Sequence, residues 1–400
     1  MTNWLRLPLS VVGRRIAWTF ERHATFRIVA FALAFRMFSS LLALLSKVLF
    51  PLVGEAAFTV LKRENLFWDS FARHDSGWYF GIARYGYEFV EDGRSNLAFF
   101  PLYPLLMRYL ALAMGGGRTK VYLAGIIISW TAFVVACVLL YRLARHFVND
   151  SDAERAVTYA AAFPFAFFFG VVYTESLFLM LSVASFLAFR NRYWVWGGLA
   201  GAALSATRVN GILALPALAW VAWQAAGSSS AERRRALLGV ALVPMGLALY
   251  SSYVFALSGS FIEWMHSITR WGYYPGGPPW TALLDLIVPM LTSPYRYLTE
   301  APGAPYHLLN GMAALFALAM LPVVKRRMGW PYVLFIVMNL WLPLSSGVLE
   351  GLGRYTAVLF PLFIAIPTIS SLLGRQMLLI SFASLHMLCR ALFTNLHPMY

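Results

Sequence analysis

The sequence predicts an all-α, polytopic membrane protein, and three observations carry that prediction. Of its 400 residues, 60% are hydrophobic and 12% are charged, whereas about a quarter are charged in an ordinary globular domain. That much apolar surface exceeds what a soluble core can absorb. The apolar residues fall in long runs along nearly the whole chain. The net charge of +15 is scattered in twos and threes between those runs, as topology signals are. This distribution argues against a nucleic-acid-binding surface. Arg outnumbers Lys 28 to 4, a bias that fits GC-rich coding better than a phosphate-reading patch. So low a charge content also excludes a disordered chain.

In order along the chain, residues 1–27 contain Arg6, Arg14, Arg15 and Arg22 without a clean apolar stretch. They read as a cytoplasmic lead-in rather than a cleaved signal. The first span is expected at 28–49. It carries Arg36, whose burial is costly unless it faces protein or water. Further spans are expected near 121–141, 156–171, 174–189, 193–207, 210–224, 237–257, 306–324, 330–346, 355–373 and 376–393, which makes about eleven. Several fall short of about 20 residues, and Pro164 and Pro216 fit broken helices.

The segment 99–116, interrupted by Pro101 and Pro104, decides the parity. If it does not cross, Arg142/Arg145, Arg190/Arg192, Arg233/Arg234/Arg235, Lys325/Arg326/Arg327 and Arg375 join the N-terminal arginines on one side. It is therefore read as a juxtamembrane or re-entrant helix. The N-terminus is then cytoplasmic and the C-terminus outside, with two large outer loops at 50–119 and 258–305. All 400 residues form one domain, with no internal or inverted repeat in view. Cys137 and Cys389 lie in apolar runs and lack metal-ligand spacing.

The first outer loop holds the densest chemistry, "FARHDSGWYFGIARYGYEF" from Phe71 to Phe89. Taken as a helix from 75 to 89, it places Trp78, Tyr79, Ile82, Tyr85 or Gly86, and Phe89 on one aromatic face. Such a helix lies in the membrane interface. Asp75 stands at its start, where backbone N–H groups and the helix dipole favour a carboxylate. Two readings of Asp75 stay open: an ordinary helix cap, or an ionised base at headgroup depth.

This stretch, with the following "NLAFFPLYPLL", resembles the first-loop signature of the PIG-V-like mannosyltransferases. Asp75, Tyr79, Ile82-Ala83, Gly86-Tyr87 and Phe99-Phe100-Pro101 fill that family's pattern. The likeness continues in "FPFAFFFGVVYTESLF" (163–178), "ATRVNGIL" (206–213), "WGYYPGGPPW" (271–280) and "GRYTAVLFPLF" (353–363). It covers about 70 to 380 in the family's order. In one departure, the family has Trp before the key Asp and this chain has His74. A Trp-Asp pair does occur at Trp68-Asp69, but only Asp75 keeps the downstream spacing, so Asp69 is the fallback.

The resemblance implies a GT-C type enzyme that transfers mannose, with inversion, from a polyprenyl (dolichyl) phosphate. The acceptor would be a glycolipid, a glycan or a protein. A phosphate leaving group needs no strong acid, so one base on the acceptor hydroxyl suffices. Asp75 fills that role, with cationic groups on the departing phosphate. The resemblance offers Arg208 and Arg354 as phosphate partners, snorkelling being the alternative for Arg208. Glu175 would meet an acceptor sugar or cap a helix. Tyr79, His74 and Asn210 complete the implied substrate-binding set. No cofactor or metal is implied. The eukaryotic relatives work with a partner subunit. The enzyme would sit in the plasma membrane of a prokaryote or the endoplasmic reticulum of a eukaryote, its site on the non-cytoplasmic side.

The remaining polar residues read as ordinary structure. Glu88, Glu91 and Asp92 are solvated loop charge, and His266 and His307 are structural. "YYPGGPPW" is a rigid turn with exposed aromatics, and "FPFAFFFG" faces lipid or packs. Two other functions stay open: the same architecture moving glucose, arabinose or another sugar, and a lipid or sugar transporter.

Overall fold

A computed structural model describes residues 11–53, 66–273, 277–369 and 371–399. Among the described residues every regular element is helical. Helix α1 (Val11–Leu49) takes in much of the expected lead-in and continues into the first span without a break. Four short elements follow: α2 (Leu66–Asp69), α3 (Ser76–Tyr85), a 3-10 turn (Asn96–Ala98) and α4 (Leu102–Ala113). Helix α4 has 12 residues, about 18 Å, too short to cross a bilayer core of about 30 Å.

Helices α5 (Arg118–Ala144), α6 (Asp150–Ala162), α7 (Glu175–Arg190) and α8 (Trp194–Ser205) come next. Two 3-10 segments interrupt this part of the chain, Pro164–Gly170 before α7 and Val209–Ala214 after α8. Then come α9 (Leu215–Ala226), α10 (Ser230–Leu242) and α11 (Met245–Ser258). The segment expected to be the second outer loop contains α12 (Glu263–Arg270), α13 (Thr281–Thr292) and α14 (Pro294–Glu300). Its residues 274–276, within the turn read from "YYPGGPPW", lie outside the described residues, as do 54–65 of the first loop and 1–10 of the lead-in. Helices α15 (Ala304–Met328), α16 (Trp330–Leu344), α17 (Leu352–Ala357), α18 (Phe360–Ala365) and α19 (Leu372–Thr394) complete the order.

Several of the expected spans form as broken or short helices. Among the described residues six helices are long and apolar enough to cross a membrane, or seven if one bent pair counts as a span. The expected span 156–171 is α6 followed by a 3-10 segment, and 355–373 is split among α17, α18 and a 3-10 turn. Proline at the start of each broken piece (Pro164, Pro361, Pro367) removes a backbone donor and resets the helix.

Polar contacts sort the basic clusters to one end of the bundle. Arg27 pairs with Glu154, Arg145 with Asp150 at 2.8 Å, and Arg375 with Asp152 at 3.8 Å. Arg190 stacks on Phe147, which in turn meets Tyr332. Trp194 donates to Glu232 there as well. The other end holds Lys47 with Asp69, Arg73 bonded to the Thr394 carbonyl, and the start of α7.

Helix α3 corrects the interface-helix reading. It ends at Tyr85, where Gly86 takes φ 92, a backbone shape glycine adopts without strain. Its apolar face, Tyr79, Ile82 and Ala83, is buried against α4 and α5 rather than turned to lipid. The "FPFAFFFG" run is likewise wholly buried.

Candidate active site

Asp75 is presented by a strained turn. His74 before it has φ 48, uncommon for a residue with a side chain. Three contacts stitch the turn to the chain before α7. Ser76 Oγ donates to the Val172 carbonyl at 3.1 Å, Asp75 N–H donates to Tyr173 Oη at 3.2 Å, and Tyr173 Oη donates to the Arg73 carbonyl at 3.3 Å. Asp75 occupies the cap position of α3, yet its side chain caps nothing. Instead its Oδ2 accepts from Arg354 Nη1 at 2.7 Å.

Glu175 arrives by a sharp bend. The 3-10 segment Pro164–Gly170 and helix α7 meet at 96°, and Glu175 opens α7, where the unpaired N–H groups favour an acid. It is completely buried and separates two arginines. Arg208 Nη1 donates to Glu175 Oε1 at 2.5 Å. Arg354 Nε stands 2.9 Å from the same oxygen, an ion-pair distance without hydrogen-bond alignment.

The result is a four-member chain of alternating charge, Asp75–Arg354–Glu175–Arg208, with no net charge. Side-chain exposure along it is 25% at Asp75, 12% at Arg354, 0% at Glu175 and 8% at Arg208. Asp75 is therefore partly open at the surface and Glu175 is sealed.

Aromatic faces and backbone fix the two arginines. Arg354 lies over Tyr173 at 5.1 Å and Phe168 at 5.6 Å, and Arg208 lies over Tyr355 at 4.6 Å. Gly353 sets the seat of Arg354. Its N–H donates to Asn310 Oδ1 at 2.8 Å. A Cβ at that position would stand 2.3 Å from the Phe165 ring.

The other expected site residues, Tyr79, His74 and Asn210, lie outside the charge chain. Tyr79 is buried among Phe99, Tyr103 and Tyr173. Burial and then the Asp75 charge push its phenol up. His74 sets its ring edge-on to Phe393. Burial, helped by Arg73 and Arg354, pulls its pKa down against the opposing pull of Asp75. Asn210 does not join the charge chain; its Nδ2 donates to the Asn339 carbonyl at 3.0 Å and ties the second 3-10 segment to α16. Glu175, in the first turn of α7, spaces two guanidinium groups.

The fallback Asp69 is locked away. Its carboxylate holds Lys47 and Arg73, the latter at 2.6 Å, and is 2% exposed. Burial alone would raise its pKa, but the bonds and charges of Arg73 and Lys47 outweigh that and lower it. Among the described residues no group of three or more His, Cys, Asp or Glu side chains gathers to hold a metal.

Sequence reasoning missed Tyr173, Asn310 and Tyr355 as supports. Tyr355 stands next to Arg354 and Tyr173 two positions before Glu175 within the quoted motifs, which was the available signal. Asn310 carried none. An aromatic cluster was also missed at the rim, where Trp78 stacks with Phe99 at 5.8 Å and meets Trp271 edge-on at 4.8 Å.

Comparison with known proteins bears on this arrangement. The family model for mannosyltransferase (PIG-V) matches residues 23–263, more than half of the chain. The chain belongs to the PIG-V mannosyltransferase family. That match takes in Asp75, Glu175 and Arg208 and stops short of Arg354. Among solved structures, ArnT from Cupriavidus metallidurans bound to undecaprenyl phosphate is similar. It shares 13% identity and a TM-score of 0.51, over 89% of this chain and 63% of that one. The oligosaccharyltransferase of Archaeoglobus fulgidus shares 14% identity and a TM-score of 0.46, over 92% of this chain and 53% of that one. This chain thus spans between about half and two thirds of the length of these proteins. No curated protein matches it. The ArnT likeness shows the fold, a GT-C-like helical membrane architecture.

Proposed function

We propose that this PIG-V family member transfers a mannosyl residue from polyprenyl-phosphate mannose to an acceptor hydroxyl, with inversion and with Asp75 as general base. One observation carries the proposal: Asp75 is the most exposed member of a charge chain whose other carboxylate is sealed. The acceptor hydroxyl gives its proton to Asp75 as its oxygen bonds to the anomeric carbon. The bond from that carbon to the phosphate oxygen breaks, and its electron pair leaves on the phosphate. Arg354, and behind it Arg208, stand where fixed positive charge stabilises that leaving group. Arg354 already bonds a carboxylate, so an arriving phosphate competes for the same fork of N–H donors.

The membrane family, the ArnT-like fold and the collection of basic residues at the opposite end of the bundle support a site on the non-cytoplasmic side. The acceptor is then lipid-linked or extracytoplasmic. Purified protein given polyprenyl-phosphate-[¹⁴C]mannose and candidate glycolipid, glycan and peptide acceptors tests this. Transfer that is lost in Asp75→Asn supports it. Transfer from another polyprenyl-linked sugar but not from mannose would overturn the donor, and no transfer from any such donor would overturn the enzyme reading.

A further inference from the structure

Helices α5 and α7 both leave the charge chain and run to the basic end. Arg118 at the start of α5 lies over Phe80 of α3, and α7 starts with Glu175. Ala188, 13 positions on from Glu175 in α7, is about 20 Å away along that helix. Between the far ends of α5, α7 and the start of α8 lies a cavity of about 760 Å³, within the size range of small-molecule sites.

Its walls are of two kinds. Arg142, Arg145, His146 and Asn191 line the polar part. Leu139, Ala184, Leu187 and Ala188 line an apolar part, and Leu139 and Ala184 lie nearer the charge-chain ends of α5 and α7 than Arg142 and Asn191 do. Tyr193, Trp196 and Ala200 of the α8 side complete the lining, and the two aromatics are 62% and 70% exposed. Exposed Tyr and Trp of this kind mark the headgroup level. No carboxylate is among the lining residues. Arg145 Nε does bond Asp150 at 2.8 Å beside the cavity, but a guanidinium has five N–H donors, so an arginine that holds one partner still presents others.

We infer that this groove holds one anionic glycerophospholipid of the leaflet opposite the charge chain. Arg142 and Arg145 would take the headgroup phosphate, and an acyl chain would lie along Leu139, Ala184 and Leu187. Cationic forks suit phosphate oxygens, and basic pockets between membrane helices on the cytoplasmic side are known places for acidic headgroups. The apolar wall explains a lipid rather than a free phosphate. This inference stands apart from the transfer chemistry.

The test is native mass spectrometry of the delipidated full chain titrated with dioleoyl phosphatidylglycerol or dioleoyl phosphatidylcholine, with inorganic phosphate as competitor. One phosphatidylglycerol should bind at least about fivefold more tightly than phosphatidylcholine, and Arg142→Gln should remove about fivefold, roughly 1 kcal/mol per basic contact. Ala184→Trp, which fills the apolar wall and leaves the charges in place, should remove the tight site. Inorganic phosphate should not displace the lipid. Equal binding of the two lipids by the unaltered chain would overturn the inference whatever the variants do. So would phosphatidylglycerol binding that is unchanged in a folded Arg142→Gln or Ala184→Trp protein, or displacement by phosphate.

Discussion

Asp69, the last residue of α2, and Asp75, at the start of α3, stand six positions apart and meet opposite fates. Asp69 is sealed between Lys47 and Arg73, while Asp75 shares one arginine and keeps a quarter of its side chain open. A carboxylate held by two buried cations contributes to the fold. One that is held from behind and open in front can exchange a proton with a substrate. Position relative to its partners, rather than residue type, separates the two roles.

The contrast breaks most visibly by removing each carboxylate in turn. Asp75→Asn should lower kcat by about 10²–10⁴, the usual contribution of a positioned base, with an unchanged melting temperature. Arg354→Gln should cost about 10²–10³ in kcat, in line with the loss of one donor to a charged leaving group. It should also weaken retention of undecaprenyl phosphate, measured by equilibrium binding. Asp69→Asn should do the reverse of Asp75→Asn. It leaves Lys47 and Arg73 uncompensated and should destabilise by about 3–5 kcal/mol, read as a fall in melting temperature, while the folded fraction keeps its kcat.

Two smaller effects sharpen the comparison. Gly353→Ala forces Phe165 or α17 to shift and should cost about 1–3 kcal/mol of stability, with a fall in kcat as Arg354 moves. His74→Asn tests the turn. Asn tolerates the left-handed backbone, so kcat should stay close to that of the unaltered chain. The His74 pKa is lower in the folded chain than its ordinary value of about 6.5, so the unfolded chain binds more protons between the two values. Stability therefore falls as pH drops from about 6.5 toward the lowered value. In His74→Asn that part of the acid-side loss should vanish from melting curves taken between pH 7 and 5.

Much of the site was legible because its members stand in compact motifs. Asp75, Glu175, Arg208 and Arg354 each stand in a motif that resembles the family's, and the two arginines also sit at an apolar border. Their wiring could not, because Arg354 and Asp75 are 279 positions apart and nothing local reports that they meet. Asp75 could be read equally as a cap, since local spacing shows that a helix starts but not which partner its first side chain finds. The aromatic face of α3 was legible as a face, but periodicity does not tell whether lipid or protein covers it. The bounds of the helices were blurred for a related reason. Apolar composition runs on through 163–170 and 358–368, while proline breaks the helix geometry there.

The central claim is that Asp75 takes the acceptor's proton and does not merely anchor the donor. Single-turnover transfer from pre-bound polyprenyl-phosphate mannose by Asp75→Asn, with bound donor counted in the same sample, tests it most directly. The account predicts donor bound at least as well as by the unaltered chain, since Arg354 is released toward the phosphate, and transfer slowed by about 10²–10⁴. Transfer from the bound donor at the unaltered rate would contradict it.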